Sequence, residues 1–453
     1  MTALAPDAAG RRTSARTLRG WGELAQAVDY REEPEWLNAL RRSAIDRFTS
    51  VGLPASNDEE WRFTSLAALA AISFGPRPAA PAPVAAMPEP FRLGQGAAWP
   101  LLAVVNGQVD RGLSRIDHLP PGVTFGSLAD AVASGNPLVE RHLARYASID
   151  GSPFNAVNAA LFRDGAFVHV GRGVTLPEPL HVMLATTAAA VPSIVAPRTL
   201  IVIEAGADAT VIESFVPAGA HKVGQPHLTA TCAEVVLEQS ARLEHVRLQR
   251  ESAAAFHVGF TAVEQARDSH YRSFALALGS KLSRHDLQAR LSGTNVETLL
   301  YGLYLARGEQ LVDNHTAIFH DQPDCRSWEV YKGVLAERAR GVFNGKVIVQ
   351  PAAQKTDAKQ TNRNLLLGDE AKVNTKPQLE IFADDVKCTH GATVGKLDAM
   401  QRFYLQTRGI AGREAEVLLI TAFVAEVLAE VREPRIRETL QSLAYAEMDA
   451  LIG

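Results

Sequence analysis

The segment Asp384-Asp385-Val386-Lys387-Cys388-Thr389-His390-Gly391-Ala392-Thr393-Val394-Gly395 sets a thiol and an imidazole two residues apart. It reads as a strand, and successive strand side chains point to opposite faces, so Cys388 and His390 project to one side. Thiolate and imidazole are ligands of soft and borderline metals, iron–sulfur clusters included. Two donors do not complete a site. The chain has only three cysteines, Cys232, Cys325 and Cys388, far apart and without a CxxC pair. That excludes a self-contained four-cysteine cluster or zinc centre. Cys388 and His390 are then either a structural pair or part of a metal site completed by another subunit.

Other chemistry-bearing segments are weaker. Asp313-Asn314-His315-Thr316-Ala317-Ile318-Phe319-His320-Asp321 gathers two histidines and two carboxylates, but a five-residue separation on a strand sends His315 and His320 to opposite faces. Histidines bonded to neighbouring rungs are the expectation there. Gly341-Val342-Phe343-Asn344-Gly345-Lys346 has the wrong spacing for a phosphate loop, and strand residues follow where a helix should start. Nucleotide binding by this chain is rejected on that ground. No G-x-S-x-G elbow supports nucleophilic hydrolysis. Asp384 and Asp385 would suit a β-helix carbohydrate-active enzyme, yet adjacent strand positions point apart and would not cooperate. The polar run Gln354–Asn362 is either a solvated turn or a set of hydrogen-bonded amide ladders.

The elements that must position these residues fall into three regimes: 1–150, 151–395 and 396–453. In the first, Trp36, Leu37, Leu40, Ala44 and Phe48 recur at helical spacing and Gly52-Leu53-Pro54 ends the helix. A Pro/Ala-rich linker spans Pro76 to Pro90, and Leu101–Val105 with Asn106-Gly107 predicts a strand and turn. The second regime is dominated by strand-like runs, among them Thr199–Ile203, Cys232–Leu237, Tyr271–Leu278, Thr298–Leu305 and Gly341–Val349. Turns near Ser240, Ala266 and Gly293 recur roughly every 26 residues, the mark of stacked repeats. Asn-Gly and Asp-Gly hairpin signals are scarce, with Asn344-Gly345 and Asp164-Gly165 as the two exceptions. A stacked β-solenoid fits better than a sandwich or barrel, and 453 residues suit a fold that grows along one axis. In the third regime a short helix around Phe403-Tyr404-Leu405 stops at Arg408-Gly409. Two further helices follow, over Ala415–Val431 and from Pro434, the latter with a stripe of Ile436, Leu440, Leu443, Glu447 and Leu451.

A net charge of −4, with 21% charged and 47% apolar residues, predicts a soluble folded chain without affinity for nucleic acid or membrane. No apolar run is long enough to span a bilayer. The cysteine usage suits a reducing compartment, so a cytoplasmic location is expected. The Ala/Arg/Thr/Ser-rich start through Arg19 reads as a disordered N-terminus, with a plastid transit peptide as the alternative.

The run Ala353-Gln354-Lys355-Thr356-Asp357-Ala358, then Asn364-Leu365-Leu366-Leu367, Pro377-Gln378-Leu379-Glu380-Ile381 and Ala383 through Gly395 resembles the C-terminal signature of the SufB/SufD family. These are scaffold subunits of the SUF iron–sulfur cluster assembly machinery. Phe403-Tyr404-Leu405 with Arg408-Gly409-Ile410 extends the likeness, and Asn155–Ala160 and Glu59-Glu60-Trp61-Arg62-Phe63-Thr64 extend it more weakly. Within the family, Cys-Thr-His-Gly-Ala-Thr-Val-Gly is nearer to the SufD branch than to the SufB branch. The resemblance implies a right-handed parallel β-helix with α-helical N- and C-terminal regions. It also implies a non-catalytic role in a complex with SufB and the ATPase SufC, the C-terminal helices docking SufC. His390 matches the family's proposed ligand of a transient cluster at the joint with SufB, which supplies a cysteine. Cys388 matches the adjacent cysteine, whose role the resemblance leaves open, and Cys325 receives none. A homodimer without cluster chemistry is the narrower alternative.

Overall fold

The computed structural model describes residues 21, 33–55, 57–75, 90–91, 99–218 and 225–452. The segment through Arg19 and the Pro/Ala-rich stretch from Pro76 to Pro90, Pro90 itself apart, lie outside these residues. The chain winds as a β-solenoid of two ten-stranded sheets, between which successive strands alternate from Arg198–Ile203 onward. Within each sheet neighbours pair in parallel register, apart from antiparallel pairs near the start. Arg242, His270, Glu297, Arg326, Asp357 and Lys387 occupy one column, so a turn takes 27 to 31 residues, slightly more than the recurrence of the turn residues suggested. Strands as early as Leu101–Val105 already join these sheets.

Alternation decides what each strand buries. In Glu297–Ala306, the residues Leu300 and Tyr304 face the lumen, while Leu299, Tyr301, Leu303 and Leu305 face outward and are also covered. The cover is the C-terminal helix pair Gly412–Leu428 and Pro434–Ile452, which lays Ile420, Val424, Val427, Ile436 and Leu440 on that sheet. The buried stripe of the last helix is Ile436, Leu440, Ala444, Met448 and Leu451 rather than the expected one, because Glu447 turns aside to pair with Arg307 at 3.0 Å. Lys332 is fully buried beneath these helices, its ammonium donating to the Phe423 carbonyl at 2.8 Å and to Glu426 at 2.7 Å. A buried ammonium without such partners would be costly.

At the other end, helix Glu35–Val51 packs on helix Pro153–Leu161, and Arg41 reaches Glu33 and the Ala159 carbonyl. The two expected hairpin turns are not turns. Asn344-Gly345 sits inside the strand Arg340–Val349, and Asp164-Gly165 opens the strand Gly165–Val170. Asp164 there accepts from Ser127 and from the amides of Val109, Ala129 and Gly165. Asn106-Gly107 does turn a hairpin, with both residues at positive φ.

Candidate functional site

The strand Lys387–Gly395 is the last of its sheet and pairs on one side only, with Asp357–Leu366. Cys388 stands opposite Ala358 and His390 opposite Gln360. Ala358 and Gln360 are buried, while Lys359 between them is exposed. Cys388 and His390 therefore share the column that faces the lumen, as the spacing predicts. Among the described residues the lumen has no further rung above them.

Their surroundings differ. Cys388 is half-buried against a small apolar cluster containing Val347, Val349, Ala353 and Ala358, and burial pushes its thiol pKa up, which keeps it protonated. His390 is exposed, and its ring has no hydrogen-bond partner among the described residues. The imidazole is thus the donor ready to bind, and the thiol would need a cation beside it to ionise. Among the described residues no group of three His, Cys, Asp or Glu side chains is placed to hold a metal ion. The donors at this end fit half of a coordination sphere, open on the side away from the chain. Ile381, Phe382 and Val394 are exposed around it, and the strands Lys372–Ile381 and Lys387–Gly395 each leave an edge unpaired among the described residues. Open edges with exposed apolar side chains are surfaces on which another chain can pair.

Directly below His390 the lumen turns polar. Gln360 is 2% exposed, and its amide nitrogen donates to Glu329 in the preceding rung at 2.7 Å. Burial pushes Glu329 up to about 7, although Thr316 and Gln360 work the other way. Asn364 donates to Asn362, and Asn362 donates to the Tyr331 carbonyl. The polar run expected as a turn or as amide ladders is therefore both: a turn through Gln354, then the inward ladder of Gln360, Asn362 and Asn364. Deeper in, His245 lies 3.1 Å from Glu213, and His257 lies 2.6 Å from Glu251. Period-two spacing was the available signal for these inward polar residues, but outward polar neighbours hide it.

His315 and His320 do lie on opposite faces. His320 points inward and bonds Ser327 of the next strand at 2.9 Å. His315 points outward to Asp313 at 2.9 Å and to Glu60 at 3.3 Å, under the Glu59-Glu60-Trp61 turn. Arg284 ties the same cluster together, paired with Asp286 and Asp313 and stacked 3.8 Å from the Trp61 ring. Burial opposes charge on Asp313, but His315 and Arg284 hold its pKa at about 2. These groups satisfy one another, so the cluster fastens the N-terminal segment to the solenoid. Cys232 and Cys325 are buried and separate, with Cys325 donating to the Gly293 carbonyl. Gly341–Lys346 is mid-strand, and Asp384 and Asp385 lie in the exposed turn before the last strand.

A family model described as "SUF system FeS cluster assembly, SufBD core domain" matches residues 184–423, and one described as "SufBD protein N-terminal region" matches residues 23–182. The chain is 36% identical over 411 residues to an iron-sulfur cluster assembly SufBD family protein of Synechocystis, covering 90% of each chain. It is 29% identical to the iron-sulfur cluster assembly protein SufD of Escherichia coli, covering 95% of this chain and 96% of that one. It is 26% identical to SufD of Bacillus subtilis, covering 91% and 94%.

Proposed function

Because the chain belongs to the SufBD family of the SUF iron–sulfur cluster assembly system, we propose that it is a SufD-type scaffold subunit that pairs with SufB and the ATPase SufC. The observation that carries this reading is the half-site at the open end of the solenoid. His390, exposed and on the lumen column, offers one nitrogen to a nascent cluster, and a cysteine of SufB supplies the facing ligand. The cluster is cargo, built and passed on, so a sphere that closes only when two subunits meet suits it. Cys388, protonated in its apolar corner, becomes a second ligand only if the partner brings positive charge beside it.

The three regions then divide the work. The helix Glu35–Val51 and the turn at Glu59-Glu60-Trp61 brace the solenoid, whose strands run from Leu101 to Gly395 and end in the site, and the helices after residue 395 dock SufC. The chain performs no ATP hydrolysis of its own and works in the cytoplasm. A carbohydrate-active role has no support from the placement of Asp384 and Asp385, which lie in an exposed turn.

Anaerobic co-purification with SufB and SufC, followed by iron and sulfide analysis, tests the reading. The wild-type complex should carry iron and sulfide, and His390→Ala should lose most of both while the three chains still co-elute. Undiminished cluster content in His390→Ala would remove the ligand role.

A further inference from the structure

A histidine that ligates a metal through one nitrogen commonly donates its other ring N–H to an acceptor, which fixes the tautomer and the ring plane. His390 has no such acceptor in its own strand. The register places Gln360 beside it in the preceding rung and Glu329 one rung further down. Adjacent rungs are about 4.8 Å apart, so in-register side chains on the lumen face are in reach of one another.

The state of Gln360 is unusual for a buried amide. Its nitrogen is committed to Glu329, yet among the described residues its oxygen Oε1 has no partner. Buried polar atoms are almost always paired, and one left over calls for an explanation. The pairing with Glu329 also decides which way the amide faces: Glu329 Oε2 accepts the amide N–H, and the carboxyl can do so ionised or with its proton on Oε1. With the nitrogen spoken for by the rung below, the acceptor is what remains for the rung above. Room for this side chain is built in: a Cβ at Gly345 on the opposite sheet would come within 2.0 Å of the Gln360 nitrogen. Every residue larger than glycine there would push the amide out of place.

We propose that Gln360, oriented by Glu329, is the positioning residue of the site: its amide oxygen accepts the ring N–H of His390 when the imidazole turns over the lumen, leaving the other nitrogen facing outward for the cargo. The chain Glu329–Gln360–His390 thus sets which nitrogen binds. This rests on His390 being a ligand, but its test does not.

Ring-¹⁵N histidine labelling of the full chain, alone and assembled with unlabelled SufB and SufC, reports the tautomer by solid-state NMR of sedimented protein. His390 is identified as the signal missing from His390→Ala. Wild type should show a single dominant neutral tautomer in at least one of the two preparations. Gln360→Leu should convert that signal to the mixed tautomers of a free imidazole. Glu329→Gln, which removes the preference for the amide's orientation, should do so in part. The exchange variant Glu329→Gln/Gln360→Glu keeps an amide donor below and an oxygen acceptor above, and should restore the single tautomer. Iron content of the Gln360→Leu complex should fall on the order of tenfold and recover in the exchange variant. An unchanged His390 tautomer in Gln360→Leu in both preparations overturns the proposal, even if His390→Ala abolishes the cluster. Conversely, a tautomer change with undiminished cluster content in His390→Ala removes the ligand reading and leaves the positioning bond standing.

Discussion

At the scale of single residues, Glu329 makes a prediction that does not depend on any partner. Its carboxyl is fully enclosed, and burial raises its pKa to about 7 from 4.5. The folded chain therefore keeps a proton that the unfolded chain gives up between these two values. Stability from this group is complete below about pH 4.5 and is lost as pH rises through 7, a loss on the order of 3 kcal/mol. Glutamine cannot ionise, so Glu329→Gln should lose less stability than wild type between pH 5 and pH 8, measured as thermal midpoints of the full chain. Equal losses in the two proteins would show that Glu329 is not held neutral. The pair Cys388 and His390 was legible from residue spacing alone, because a period of two needs no tertiary information. Glu329 and Gln360 were not, since Trp328 and Lys359 beside them are exposed and polar residues on both faces erase the alternation that marks a buried side.

The same effect explains what was legible at the scale of elements. Strands with apolar lumen residues, such as Arg198–Ile203 and Glu297–Ala306, stood out in the sequence. Leu282–Leu291, Arg326–Leu335 and Asp357–Leu366 did not, because Ser283, His285, Glu329, Gln360 and Asn362 occupy their inward positions. What makes such strands stack is shape as well as polarity. Gly302 stands in register with Tyr331, and Gly333 with Tyr304, so each aromatic ring lies over the glycine of its neighbour. A Cβ on Gly302 would come within 2.2 Å of the Tyr331 ring, and one on Gly333 within 2.3 Å of the Tyr304 ring. Neither ring can slide aside, as both side chains are 1% exposed. Gly302→Ala should therefore destabilise the chain by about 1–3 kcal/mol through overpacking, and Tyr331→Leu added to it should recover part of the loss. Denaturant titration of the single and double variants checks this. Additive losses would mean that the ring and the glycine are not interlocked.

For the molecule as a whole, the placement of the last strand between two anchored bodies gives the site its mechanical context. The solenoid holds Lys387–Gly395 along one edge only, and three residues later the chain enters the helix Ala399–Thr407. That helix has no buried residue and exposes Met400, Phe403 and Tyr404, with Leu418 of the next helix also exposed. Beyond it, the final two helices are locked to the solenoid by their apolar faces, by Lys332 and by the 3.3 Å pair of Arg272 with Glu430. An exposed apolar helix face held between the strand that carries His390 and a fixed helical pair is open to a docking partner. If SufC docks there, Phe403→Asp/Tyr404→Asp should lower SufC retention in co-purification by an order of magnitude or more, the cost expected when central aromatic anchors are lost. Neither residue packs on the solenoid, so the thermal midpoint and retention of SufB should stay at wild-type values. Full SufC retention by this variant would exclude the Ala399–Thr407 helix as the dock.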